Sequence, residues 1–173
     1  MKPHEGHRKE GQRHLRVTVV TVSTSRYSKK SKGEEYTDEA GDVAVTASIR
    51  AGHTVAGRSL ISDDPKMLRR VVRSFISGKD DVLLLTGGTG VSPRDITIET
   101  VRPYFEKEIT GFGELLRRVS FDEIGSAAML TRATAGVVRG KLIVCMPGSP
   151  GAVDTALRSS MGEFPHILFV ARG

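Results

Sequence analysis

The sequence has one cysteine, no tryptophan and only 5% aromatic residues among its 173. A lone cysteine cannot close an internal disulfide, which excludes a disulfide-stapled scaffold and points to a reducing cytoplasm. No apolar run approaches the ~18 residues of a membrane span. The Met1 end is hydrophilic, without the apolar core of a secretory signal. The scarcity of aromatics argues against a surface that stacks single-stranded nucleic acid. What is present is ordinary for a globular chain: 38% hydrophobic residues, 19 glycines and a length of roughly one domain, with no internal repeat.

Charge is moderate but uneven. Lys+Arg total 26 against 20 Asp+Glu, a net of +6. Half of that excess lies in residues 1–16, where Lys2, Arg8, Lys9, Arg13 and Arg16 face only Glu5 and Glu10. Residues 1–14 therefore read as a basic, flexible tail, and residues 15–173 as a single domain. Such a tail can steer anions or remain a solvated terminus. Its His4, His7 and His14 lack the spacing of a metal site, and it receives no catalytic role.

From Leu15 the β-branched run LRVTVVTVSTS predicts a buried strand. Ser28–Thr37 is polar and glycine-containing, the pattern of a loop. Asp38 can cap a helix through Ala51, and HTVAGRSLI follows as a strand. Asp63 or Asp64 then caps the helix DPKMLRRVVRSFISG. Asp81–Leu85 is a strand of the kind covered on both faces, followed by a helix over Ile96–Phe105 and another over Gly111–Ser120. Ala133–Val138 and Lys141–Met146 form a hairpin about Arg139-Gly140, and a final helix spans Gly151–Ser160 before an apolar, packed tail. This order predicts a three-layer α/β/α fold with a mostly parallel sheet and a small β-hairpin.

Ligands of such sheets bind beyond the carboxyl ends of the strands. Four loops end strands there: 23–25, 61–64, 86–95 and 147–150. In TGGTG (Thr86, Gly87, Gly88, Thr89, Gly90) the glycines leave no Cβ to block a ligand, so backbone N–H groups can approach phosphate oxygens, with two threonine hydroxyls beside them. It is neither a Walker A loop nor a dinucleotide fingerprint. Asp63 and Asp95 each read either as a helix cap or as a carboxylate for Mg²⁺ beside phosphates. Pro147, Gly148 and Ser149 form a second candidate phosphate turn before a helix, or a plain connection. Cys145, inside KLIVCM, reads as a buried structural thiol. Glu114 and Arg117, one turn apart, suit a surface ion pair.

TGGTG-x-x-x-RD at 86–95, T-GFGE at 110–114, FDEIGSAAMLTRATAGVVRGKLIVCMPGSP at 121–150 and D-x-x-G at 38–41 together resemble the MoaB/MogA family of molybdenum-cofactor biosynthesis proteins, with FDEIG-SAAML-TRATAGV nearest the archaeal MoaB branch. The resemblance covers the chain from about Leu15 onward. It implies an adenylyl transfer from ATP to molybdopterin with release of pyrophosphate, in a homotrimer or homohexamer; the two acids beside the glycine loop add the expectation of Mg²⁺. It also implies a downstream metal-insertion protein as partner, and neither nucleic acid nor membrane. By the same resemblance Asp63 and Asp95 match the family's two functional acids, and their place beside the glycine loop makes them the expected Mg²⁺ ligands. Thr86–Gly90 and Pro147–Ser149 match its nucleotide- and pterin-binding segments, Arg94 is expected to offset negative charge there, and Ser23 and Glu114 are further expected substrate-binding residues. A non-catalytic pterin-binding scaffold of the same pathway is the alternative. Two departures stand out: the family's first loop often has Asp where Thr24 stands and Ser where Ala40 stands, and its acid loop usually has Pro where Ser62 stands.

Overall fold

A computed structural model describes residues 14–173; the expected tail, except His14, lies outside them. His14 itself is tied to the body through Gly52 O (2.6 Å) and Thr54 Oγ1 (2.7 Å).

The strands are β1 (Arg16–Val22), β2 (Thr54–Ile61), β3 (Val82–Thr86), β4 (Lys107–Glu108), β5 (Thr134–Val138) and β6 (Lys141–Met146). The helices are α1 (Thr24–Ser31), α2 (Glu39–Arg50), α3 (Pro65–Ser77), α4 (Thr97–Val101), α5 (Thr110–Ile124), α6 (Pro150–Ser160) and α7 (Phe164–Arg172). One six-stranded sheet runs β2-β1-β3-β6-β5-β4. β2, β1, β3 and β6 are mutually parallel, and β5 runs antiparallel to both β6 and β4. The mostly parallel three-layer fold is therefore the observed one.

Alternation along the central strands builds both layers. Val17, Val19, Val82, Leu84, Leu142 and Val144 face one side, packing against α2, α5, α6 and α7 through Ala44, Leu116, Val153 and Leu168. Val20, Val22, Leu83, Leu85, Ile143 and Cys145 face the other, against Leu68, Val72 and Phe75 of α3 and Ile98 and Val101 of α4. Because β3 is buried on both faces, its five residues read as one apolar run ending in Thr86. The hairpin turns at Arg139 (φ 49°) and Gly140 (φ 67°), the two left-handed positions of a tight two-residue turn.

Three local expectations are corrected. Ser28–Thr37 is not all loop, since α1 runs to Ser31; that helix buries no residue, so it leaves no apolar period to read. The helix expected at Gly111–Ser120 extends from Thr110 to Ile124, with both glycines inside it. A Cβ on Gly113 would stand 2.6 Å from Ala133 O, so that glycine admits the close approach of the segment leading into β5. The apolar C-terminal stretch is packed as expected, as helix α7 with Leu168 buried. Finally, the helix expected through Phe105 is α4 followed by a 3-10 turn at Arg102–Tyr104.

Candidate functional site

All four strand-end loops converge on one cleft of about 770 Å³ at the carboxyl edge of the parallel strands. Its floor is the glycine loop with Pro147–Ser149, its near wall Ser23, Arg26 and Asp63, and its far wall the end of α5 with the 3-10 turn at Gly125–Leu130.

The glycine loop has a definite polarity. Thr97 donates from its backbone to Gly88 O and from its hydroxyl to Gly87 O, each at 2.8 Å. Arg132 Nη1 donates to Gly90 O at 2.7 Å. The carbonyls at 87, 88 and 90 are thus drawn back into the protein. Among the described residues the N–H groups of Gly88, Thr89 and Gly90 donate to nothing. Free donors on a loop with its carbonyls withdrawn make an anion-binding concavity. Gly87 and Gly88 adopt φ of 97° and 62°, and a Cβ on Gly87 would strike Val22 O, so only glycine fits there. Gly148 lies against Gly87, its would-be Cβ 3.1 Å from Gly87 Cα. Thr86 is fully buried and donates to Pro147 O at 2.8 Å, so its hydroxyl braces the two loops instead of facing the cleft.

Neither acid caps the helix that follows it. Asp64 caps α3 through Lys66 N, which leaves Asp63 turned to the cleft. Asp63 Oδ2 accepts from Thr24 N (2.7 Å) and Thr24 Oγ1 (2.8 Å), and its Oδ1 lies beside Gly88, 2.7 Å from where a Cβ would stand. Asp95 Oδ2 accepts from Ser92 N at 2.9 Å and lies 2.8 Å from a would-be Cβ on Gly90; α4 is capped by no side chain. Each carboxylate therefore keeps Oδ1 unbonded among the described residues, and the two acids flank successive glycines of one loop. Hard carboxylate oxygens of this kind suit Mg²⁺, which takes one or two of them and completes its shell with water and phosphate. No cluster of three or more His, Cys, Asp and Glu forms a ready cage among the described residues. The donor set fits a cation shared with a phosphate substrate.

Ser149 caps α6, accepting from Ala152 N at 3.3 Å, and presents that helix's N-terminus to the cleft. Arg94 and Glu114 stand apart: both are exposed and neither lines the cleft. Glu114 forms no ion pair with Arg117 among the described residues.

Two cations that sequence reading missed line the cleft, Arg26 and Arg132. Arg132 is paired with Glu99 while holding the Gly90 carbonyl. Burial works against the charged form of Glu99, but the Arg132 hydrogen bond and the Arg132 and Arg102 charges prevail, holding its carboxyl below the usual glutamate range. Arg26, in the first turn of α1, has no carboxylate partner among the described residues. A cation there opposes the helix dipole, so nothing in α1 itself favours it. Cys145 is fully buried and its thiol is pushed up by desolvation, which removes it as a nucleophile.

Comparison with known proteins agrees with this geometry. Residues 18–166 match the family described as a "Probable molybdopterin binding domain". The chain is 39% identical over 166 residues to molybdenum cofactor biosynthesis protein B of Bacillus anthracis, covering 94% of each. It is also 39% identical over 172 residues to the molybdopterin adenylyltransferase of Pyrococcus furiosus, covering 97% of this chain and 98% of that one. The tungsten cofactor synthesizing protein MoaB from Pyrococcus furiosus superposes with a TM-score of 0.83 at 36% identity, over 94% of this chain and 99% of the other. With the motifs, the fold and the relatives in agreement, the chain belongs to the MoaB/MogA family of molybdenum-cofactor biosynthesis proteins.

Proposed function

We propose that this protein is a molybdopterin adenylyltransferase, passing the adenylyl group of ATP to the phosphate of molybdopterin and releasing pyrophosphate. The observation that carries the reading is the glycine loop, with free N–H groups at Gly88, Thr89 and Gly90 and its carbonyls tied back. The names of the Methanocaldococcus jannaschii and Pyrococcus furiosus relatives support the same reaction.

The chemistry suits the residues. A phosphate monoester is largely ionised near neutral pH, so no Ser, Cys or His need be activated as a nucleophile. One of its oxygens bonds to the α-phosphorus of ATP as the bond to pyrophosphate breaks. The difficulty is to hold two anions together in line, a task for positioned donors and positive charge. The loop N–H groups, the N-terminus of α6 and Arg26 supply these, and the wall formed by Ile124, Ala127 and Leu130 offers an apolar surface to a flat ring. Mg²⁺ would be held by Asp63 and Asp95 and would neutralise phosphate charge there.

The same reading extends to assembly. Phe121 and Met129, which lie outside the cleft lining, are exposed, Met129 by 82%, which supports a homotrimer or homohexamer that covers them. The lone buried thiol accords with a reducing cytoplasm.

The deciding assay is pyrophosphate release from ATP and Mg²⁺ with and without molybdopterin. Pterin-dependent release is the expected result. Pterin binding with no release would replace the enzyme by a scaffold.

A further inference from the structure

Thr24 and Ser62 stand at two of the positions where this chain departs from the family's usual residues, and they meet across the cleft's near wall. Thr24 Oγ1 and Ser62 Oγ are 3.0 Å apart, although 38 residues separate them in sequence. Thr24 also holds Asp63 at three points. Its N–H and its hydroxyl both reach Asp63 Oδ2, at 2.7 and 2.8 Å, and its hydroxyl oxygen lies 3.2 Å from Asp63 N.

Several physical facts act together here. The N–H of Thr24 is one of the donors left over at the start of α1, so a carboxylate placed there meets both an unused donor and the positive end of the helix. Both donors act on the same oxygen, Oδ2. The other, Oδ1, accepts no bond among the described residues and lies beside Gly88. The carboxylate is therefore fixed at one oxygen and open at the other. A hydroxyl has one proton: with that proton on Asp63, Thr24 Oγ1 accepts from Ser62, so the chain Ser62 to Thr24 to Asp63 has one direction. An aspartate at position 24 would instead set a second negative charge against Asp63.

We propose that Thr24 is a positioning residue for Asp63, fixing which carboxylate oxygen faces the phosphate loop, with Ser62 orienting the Thr24 hydroxyl. This inference rests on the adenylyl-transfer reading for its kinetic consequence and on the hydrogen-bond geometry alone for its structural one. Thr24 is exposed and packs into no core, so its substitutions act on the carboxylate and not on the fold.

The test compares Thr24→Val, Thr24→Ser and Ser62→Ala in the full chain. Thr24→Val keeps the backbone donor and loses the hydroxyl; kcat is expected to fall about tenfold, the scale of one hydrogen bond to a charged group, with the KM for ATP nearly unchanged. Thr24→Ser restores the rate, and Ser62→Ala lowers it by less than Thr24→Val does. A second readout needs no turnover: the ¹³Cγ resonance of Asp63 shifts in Thr24→Val and returns in Thr24→Ser. Thr24→Ala serves in place of the valine variant if valine lowers the melting temperature. An unchanged kcat in Thr24→Val, a loss that serine does not rescue, or an unmoved Asp63 resonance overturns the proposal. If the wild type releases no pyrophosphate while the resonance shifts as described, the positioning role stands and the adenylyltransferase reading fails.

Discussion

At the amino ends of the parallel strands, charge is consumed internally. Asp81 is buried and accepts from Arg16 N (2.9 Å) and Arg172 Nη2 (2.5 Å), while Asp80 takes Arg16 Nε (3.1 Å) and Thr18 Oγ1 (2.5 Å). Lys141 Nζ donates to the carbonyls of Gly78 and Asp80. Burial and the nearby Arg172 charge hold its pKa down against the pull of Asp81 and Asp80. At the carboxyl ends the same kinds of group are left with capacity to spare: Oδ1 of Asp63, Oδ1 of Asp95, three loop N–H groups and the guanidinium of Arg26. The two ends have similar residue types, and what separates them is unused valence. Charge that closes on itself holds the sheet together, and charge left open awaits a ligand.

Substitutions at the two ends should therefore separate activity from stability. The largest effect belongs to Asp95→Asn, which removes a cleft charge that no element of the fold uses as a cap: turnover falls by about 10²–10³, the range seen when one preorganised electrostatic group is lost, with the melting temperature unchanged. Asp81→Asn is the mirror case. It costs about 1–3 kcal/mol of stability by weakening a buried charged acceptor, read by denaturant unfolding, and leaves turnover per folded molecule intact.

Arg26→Ala removes a cation that has no carboxylate partner among the described residues. The KM for ATP or pterin rises about tenfold, the worth of one charge-assisted contact, with no loss of stability. Retention of wild-type KM would place the substrate phosphates elsewhere in the cleft.

The smallest effect concerns the exception at the closed end. His53 is buried with neither ring nitrogen hydrogen-bonded among the described residues. Burial and then the His14 charge lower its pKa, against an opposing pull from Asp81. A histidine depressed below its unfolded value of about 6.5 binds its proton more readily unfolded than folded, so stability declines as pH falls from about 6.5 toward the folded value. His53→Leu should flatten the melting temperature over that window. An unchanged slope would assign it to other groups.

The sequence made the closed architecture easier to read than the open site. β1, β3 and β6 announce themselves because strands covered on both faces are built from near-continuous β-branched and apolar runs. Asp63 and Asp95 were legible as acids at strand ends, but only coordinates separate them from caps, since Asp64 takes the capping role beside Asp63. Arg132 was invisible because its contact with Gly90 spans 42 residues, and Arg26 because α1 buries nothing that would mark a helix. Arg94 and Glu114 sit inside recognisable motifs, yet a motif does not specify the side of a turn or helix on which each side chain emerges.

The division of labour between the two ends is read in one paired experiment: pterin-dependent pyrophosphate release and melting temperature, side by side, for Asp95→Asn and Asp81→Asn. Asp95→Asn is expected to lose turnover and keep its melting temperature, whereas Asp81→Asn melts lower and turns over normally per folded molecule. Full turnover in Asp95→Asn, or an equal loss per folded molecule in Asp81→Asn, would contradict it.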